Sequence, residues 1–157
     1  MAIRYRPNVA FILRKPGGRV LIGERMDVGG AWQFPQGGVD ADESIEEALA
    51  REVREELSLN PTDYRVVDRK GPYRYAFSDG RLKDGCGGQE QTYFLADFVG
   101  DDAQILASPE TPEFRTARWI QPAEFLLTWV APMKRAVYRE VFRDFFGVEL
   151  ASPRGEA

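Results

Sequence analysis

Apolar and polar positions along this chain fall into patterns that predict strands and helices in alternation. Residues 8–13 are an apolar run rich in strand formers, and residues 20–22 are a second, placed after the Pro16-Gly17-Gly18 turn. Two such runs around a tight turn predict a hairpin. A loop over residues 26–31, containing Gly29-Gly30, leads to a short strand at residues 32–34. Residues 64–69 and 73–77 alternate as two strands, with Asp79-Gly80 and Asp84-Gly85 punctuating the polar loop that follows. Residues 91–99 read as a long strand and Phe114–Ile120 as another. One helix is expected to begin near Pro122, and residues 134–146 place Ala136, Val137, Val141, Phe142 and Phe145 at helical spacing, as a core-packing amphipathic helix does. Elements mixed in this way predict an α/β sandwich. A single domain over residues 1–150 accounts for all of them, and the small, polar tail 151–157 is expected to fray.

The most informative pattern is a helix that changes character along its length. Ser44 followed by Glu47 is a capping box, so the helix should start there. At about 100° per residue, Ile45, Ala48 and Leu49 share an arc with Glu52 and Glu56, while Glu47, Ala50, Arg51 and Arg54 point the other way. The core-facing stripe therefore turns acidic halfway along. Glu52, Glu55 and Glu56 stand three and four apart, where like charges destabilise a helix by roughly 0.2–0.5 kcal/mol per pair. They also fall in the last turns, where the helix dipole favours cations. Two local rules broken in one place point to function. The partner that carboxylate oxygens suit is a hard divalent cation such as magnesium, manganese or calcium.

Composition narrows the chemistry. The chain of 157 residues has no histidine, which removes Ser-His, Cys-His and His-ligated zinc sites together. A general base must then be a carboxylate, a tyrosine, a lysine or a metal-bound hydroxide. The net charge of −4 gives no long-range attraction for a polyanion, so a phosphate-rich substrate would need a metal and local basic groups. Cys86 stands alone in a glycine-rich loop, which excludes an internal disulfide and suits a reducing compartment. The N-terminus has no apolar run of signal-peptide length and no segment could span a membrane, so a cytoplasmic location is expected.

Gly37, Glu43, Arg51-Glu52-Val53, Glu55-Glu56 and Leu59 keep the spacing of the Nudix box, and on these residues the chain resembles the Nudix hydrolases. Ser58 stands where the box has glycine, in a turn where a left-handed residue is cheap only without a Cβ. Tyr5-Arg6-Pro7-Asn8-Val9, Trp32-Gln33-Phe34-Pro35-Gln36-Gly37-Gly38, Gly88-Gln89, Gln91, Thr111-Pro112-Glu113-Phe114 and Lys134-Arg135 with Val137-Tyr138 extend the resemblance over nearly the whole chain. They are similar to one branch, the bacterial RNA 5′-pyrophosphohydrolases and asymmetric diadenosine tetraphosphate hydrolases. Relatives usually have Lys-Trp after the residue matching Gln91, where this chain has Thr92-Tyr93.

The resemblance implies the Nudix fold, an α/β/α sandwich with a mixed sheet and the box as loop-helix-loop. It implies magnesium, with manganese as a substitute, held by Glu52, Glu55, Glu56, Glu113 and the Gly38 carbonyl. One of these glutamates would act as base, Glu52 being the position favoured in relatives and Glu113 an alternative. Gly37, Glu43 and Arg51 would be structural, the last two as an ion pair. Arg6, Arg25, Gln33, Gln36, Tyr75 and Lys134 would meet the substrate, either a nucleotide polyphosphate or the 5′ end of RNA, with no role for DNA or a membrane. The alternatives are a Nudix module that binds nucleotides with little catalysis, or a hydrolase of another nucleoside diphosphate derivative.

Overall fold

The strand β1 (Tyr5–Arg14) lies at the centre because both of its faces are apolar. Val9, Phe11 and Leu13 point to one side and Ala10 and Ile12 to the other, all almost completely buried. The computed structural model describes residues 2–110 and 112–153. Among them β2 (Val20–Arg25), β3 (Trp32–Gln33), β4 (Gln36–Gly38), β5 (Tyr64–Ala76), β6 (Gly88–Phe98) and β7 (Phe114–Ile120) join β1 in one mixed sheet. Its main order is β3-β2-β1-β6-β5, with β4 on β1 and β7 on β2. β1 and β6 run parallel and the other pairs antiparallel.

Helix α1 (Ile45–Leu57) covers one face, its Ala48, Leu49, Val53 and Leu57 packing with Val9, Phe11, Phe94 and Ala96. Helix α2 (Pro132–Phe146) covers the other, where Val137, Tyr138, Val141 and Phe142 meet Ile12, Ile22, Phe34 and Tyr93. The expected three-layer α/β/α sandwich is thus the observed one. Among the described residues no helix is long and apolar enough to cross a membrane.

The structure corrects two elements. The segment after Pro122 forms two short 3-10 turns, Pro122–Glu124 and Leu127–Trp129, and the helix starts only at Pro132. Proline presets the first turn of either kind of helix, and the residue before Pro132 is biased away from helical geometry, so the break falls there. The two strands expected over residues 64–77 are one strand, β5, whose pairing with β6 shifts between Lys70 and Tyr73. Residues 154–157 of the tail and Thr111 lie outside the described residues.

Candidate active site

α1 begins as its sequence predicts. Ser44 Oγ accepts from the Glu47 amide at 3.1 Å, and the Ser44 amide donates to Glu47 Oε1 at 3.0 Å. The apolar stripe then delivers Glu56 into the core beside Leu57, only 1% exposed, with neither carboxylate oxygen finding a donor. Burial drives the Glu56 carboxyl far above the usual carboxylate range, and the nearby charges of Glu113 and Glu52 push it further. Glu52 is raised as well, chiefly by burial. Glu55 sits nearer the rim, with its side chain about a quarter exposed. An unpaired, buried acid is costly to keep. Its persistence beside two further carboxylates is the observation that most directly fits a divalent cation.

The β4 loop brings the backbone to this cluster. A Cβ on Gly37 would meet the Glu52 carboxylate, and one on Gly38 the Arg6 guanidinium, so a larger residue at either position would displace the end of that side chain. Arg51 ties loop to helix. It donates from Nε and Nη2 to Glu43 at 2.6 and 2.8 Å, from Nη2 to the Gly38 carbonyl at 2.9 Å, and from Nη1 to Glu52 at 2.8 Å and Glu55 at 3.3 Å. This pairing holds the Glu43 carboxyl down at about 2. Arg51 was expected to point away from the carboxylates. Its Cα does, but the long side chain folds back across the loop mouth. It stands between Glu52 and Glu55, and among the described residues no three acidic side chains form a ready-made metal cluster. The Gly38 carbonyl, expected as a ligand, is likewise shared with Arg51.

A cleft of about 490 Å³ opens nearby; its wall holds Glu113, which neighbours Glu56, but none of Glu52, Glu55 or Glu56. The structure brings Arg25, Gln33, Gln36, Glu113 and Lys134 together on its wall, as expected. Phe34, fully buried and stacked on Tyr138, anchors the segment between the two glutamines. Gln36 is held by a buried amide relay, accepting from Asn8 at 2.8 Å while Asn8 accepts from Gln91 at 3.0 Å. Arg25 forms a two-pronged pair with Asp27 at 2.9 and 2.7 Å. Glu113 is exposed at the rim.

Two expected substrate residues lie elsewhere. Arg6 packs over Gly38 and pairs with Asp84 at 3.0 Å. Tyr75 is not on the wall but in the core, 7% exposed and edge-on to Phe77, so its ring has no free face for a base. Burial also raises its hydroxyl to about 12. Tyr93, at the position where relatives carry tryptophan, is likewise buried, edge-on to Tyr73 and Phe34. Lys83 lines the cleft without having been singled out, since a lone lysine in a polar loop gives no sequence signal.

The NUDIX domain family matches residues 4–145. This chain belongs to that family. It is 40% identical over 151 residues to the RNA pyrophosphohydrolase of Erythrobacter litoralis, covering 91% of this chain and 92% of the relative. The identity is 38% to the Haemophilus influenzae protein of the same name, over 92% of this chain and 76% of that one. Among solved structures it resembles the E. coli dihydroneopterin triphosphate pyrophosphohydrolase, with TM-score 0.68, 19% identity and coverage of 90% and 97%. A C. elegans Ap4A hydrolase gives TM-score 0.63 at 16% identity, with coverage of 91% and 99%. At such identities these two likenesses are of fold alone.

Within the Nudix box, Ser58 keeps the turn that glycine usually makes, at φ 64° and ψ 27°. A non-glycine residue there costs of order 1 kcal/mol or more. Arg51 is the more consequential box residue for stability. Arg51→Ala should lower stability by about 3 kcal/mol, the cost of breaking a half-buried charge network. The loss should be greater in chelator than in magnesium, because a bound cation would neutralise Glu52 and Glu55 in its place. Thermal melts in both conditions check this, and an unchanged melting temperature would overturn the structural role.

Lys134 donates to Gln33 at 3.4 Å, and burial, followed by the charges of Arg25 and Arg81, lowers its ammonium to about 8. The cleft should therefore lose a positive charge as pH rises through about 8. KM for a polyphosphate substrate is expected to climb between about pH 7 and 9 in the wild type. In Lys134→Gln it should be high and flat. The unfolded chain keeps that proton to higher pH, so this group makes folding more favourable, not less, above pH 8. A rise in KM therefore cannot be assigned to loss of its contribution to folding.

Proposed function

We propose that the protein removes pyrophosphate from the 5′-triphosphate end of RNA in the cytoplasm. Diadenosine tetraphosphate, split off-centre into ATP and AMP, would be a second substrate. As a Nudix hydrolase it acts on pyrophosphate bonds. The observation that carries the reading is the buried, unpartnered Glu56, flanked by Glu52 and Glu113, with Glu113 also on the wall of a cleft bearing Arg25, Lys83 and Lys134. Kinship with RNA pyrophosphohydrolases over about nine-tenths of the chain supports the RNA substrate.

Glu52, Glu55, Glu56 and Glu113 are oxygen donors of the kind that hold magnesium or manganese, with the Gly38 carbonyl as a further donor. When bound, such an ion supplies neutralisation of the bridging phosphates and activation of water. Glu52, raised by burial yet held by Arg51, is suited to accept the proton of the attacking water. Lys134 and Lys83 offset charge on the outer phosphates, and Gln33 and Gln36 orient the nucleotide through their amides. Arg25, neutralised by Asp27, contributes after that pair opens.

Turnover of triphosphate-ended RNA and of diadenosine tetraphosphate should be measured side by side at fixed free magnesium. Release of pyrophosphate and of ATP plus AMP is expected. Symmetric cleavage to two ADP would exclude the off-centre geometry. Net charge −4 confines RNA contacts to the triphosphate and the first nucleotides. Counterion release scales with the number of phosphates neutralised, so the monovalent-salt dependence should barely change as RNA lengthens. Affinity that climbed steadily with length would refute this local site.

A further inference from the structure

Two of the three non-glycine residues with positive φ among the described residues, Ser58 at 64° and Leu106 at 60°, meet at one junction. There the segment leading to Glu113 crosses the end of α1. The Leu106 amide donates to the Leu57 carbonyl at 2.9 Å, and the Glu110 amide to the Glu55 carbonyl at 3.1 Å. Between them the Ser108 amide donates to Ser58 Oγ at 2.9 Å. Carbonyls at the end of a helix need partners from outside it, and here both partners are backbone amides of the same crossing segment. Ser58 adds the one side-chain acceptor. Glycine would make the turn at less cost and could not accept that bond.

We propose that Ser58 is a positioning residue, whose hydroxyl clasps the 105–110 segment to the end of α1 and so sets Glu113 against Glu52 and Glu56. The proposal rests on the reading of Glu113 as ligand or base. Local strain of this kind persists where surrounding contacts over-determine it, and it gathers at functional sites. The carbonyls used belong to Glu55 and to Leu57, which adjoins Glu56, so the clasp anchors the chain three residues before Glu113 to the part of α1 that bears the helix carboxylates. On its other side Glu113 is held by the Met26 amide, which donates to its carbonyl at 2.7 Å, so a box glycine at position 58 would leave the 105–110 side of the segment to the two backbone bonds.

The test compares wild type, Ser58→Gly, Ser58→Ala, Glu113→Gln and the Ser58→Gly/Glu113→Gln double variant. Turnover is read on triphosphate-ended RNA and diadenosine tetraphosphate in magnesium, with melting temperature and hydrogen exchange at the Ser108 amide. Ser58→Gly should keep or raise the melting temperature, because the turn relaxes, while kcat falls on the order of tenfold. That is within the 10²-fold that a displacement of about 1 Å can cost. Ser58→Ala should lose similar activity and also melt lower. The Ser108 amide should exchange faster in both. In the Glu113→Gln background, Ser58→Gly should change kcat no further.

Equal losses in both backgrounds would mean that Ser58 acts elsewhere, and unchanged Ser108 exchange would mean that no clasp exists. Either overturns the inference while leaving the proposed function intact. A Glu113→Gln protein with wild-type turnover would instead remove the role of Glu113, and the inference with it.

Discussion

Glu52→Gln is expected to lower turnover by roughly 10²–10⁴-fold, the range for loss of a general base or its equivalent, while α1 stays folded. The Glu52 carboxylate lies against Gly37 and accepts from Arg51 at 2.8 Å. Glutamine is nearly isosteric, and its amide oxygen can still accept that bond, so packing and the Arg51 network survive. What is lost is the negative charge and the proton acceptor. The substitution also relieves like-charge repulsion with Glu55, three residues along α1. A melting temperature equal to or slightly above wild type should therefore accompany the loss of rate. Steady-state kinetics and a thermal melt on the same preparation decide the matter. A near-wild-type rate would show that Glu52 is neither base nor essential ligand, and a collapsed melting temperature would show that its role is structural.

The sequence made some parts of this site legible and others not, for identifiable physical reasons. The capping box gave the start of α1, because Ser44 and Glu47 satisfy each other locally and need no tertiary partner. The wheel placed Glu52 and Glu56 on the buried arc correctly, since that arc follows from Cα directions alone. It misplaced the Arg51 guanidinium, because a side chain with four rotatable bonds can curl from mid-helix onto the Gly38 loop and reach Glu43, Glu52 and Glu55 together. Tyr75 lies in the core and not on the cleft wall for another reason. Alternation along β5 says which face a residue takes, but here α2 covers that face, so the same signal describes a cleft wall and a core position. Gln33, Gln36, Arg25, Lys134 and Glu113 share one cleft. No local rule would have paired residues from β2, β3, β4, α2 and the 106–113 segment. The bond between Ser58 and Ser108 spans 50 residues and joins two serines that look like ordinary loop chemistry in the sequence.

Chelation of divalent metal should abolish turnover while the fold survives, and it should lower the melting temperature measurably. Both core clusters are closed by apolar side chains on the two faces of the sheet, so far-ultraviolet circular dichroism in EDTA should match that in magnesium. The site itself depends on the cation more sharply. Glu56 is buried without a donor, Glu52 is mostly buried, and histidine is absent to supply any other ligand or base. A ligand present at 100 times its dissociation constant stabilises the native state by about 2.7 kcal/mol. For a domain of this size each kcal/mol moves the midpoint by about 2–4 °C, so saturating magnesium should raise it by about 5–10 °C. Glu56→Gln separates ligand from fold. Its amide cannot ionise to bind a cation, so the variant should melt close to wild type in EDTA, where burial keeps the Glu56 carboxyl protonated, and gain less from magnesium. Full turnover in EDTA would eliminate the metal from the mechanism. An equal magnesium shift in wild type and Glu56→Gln would place the ion away from the buried carboxylate and leave Glu52 with Glu55 at the rim as its remaining seat.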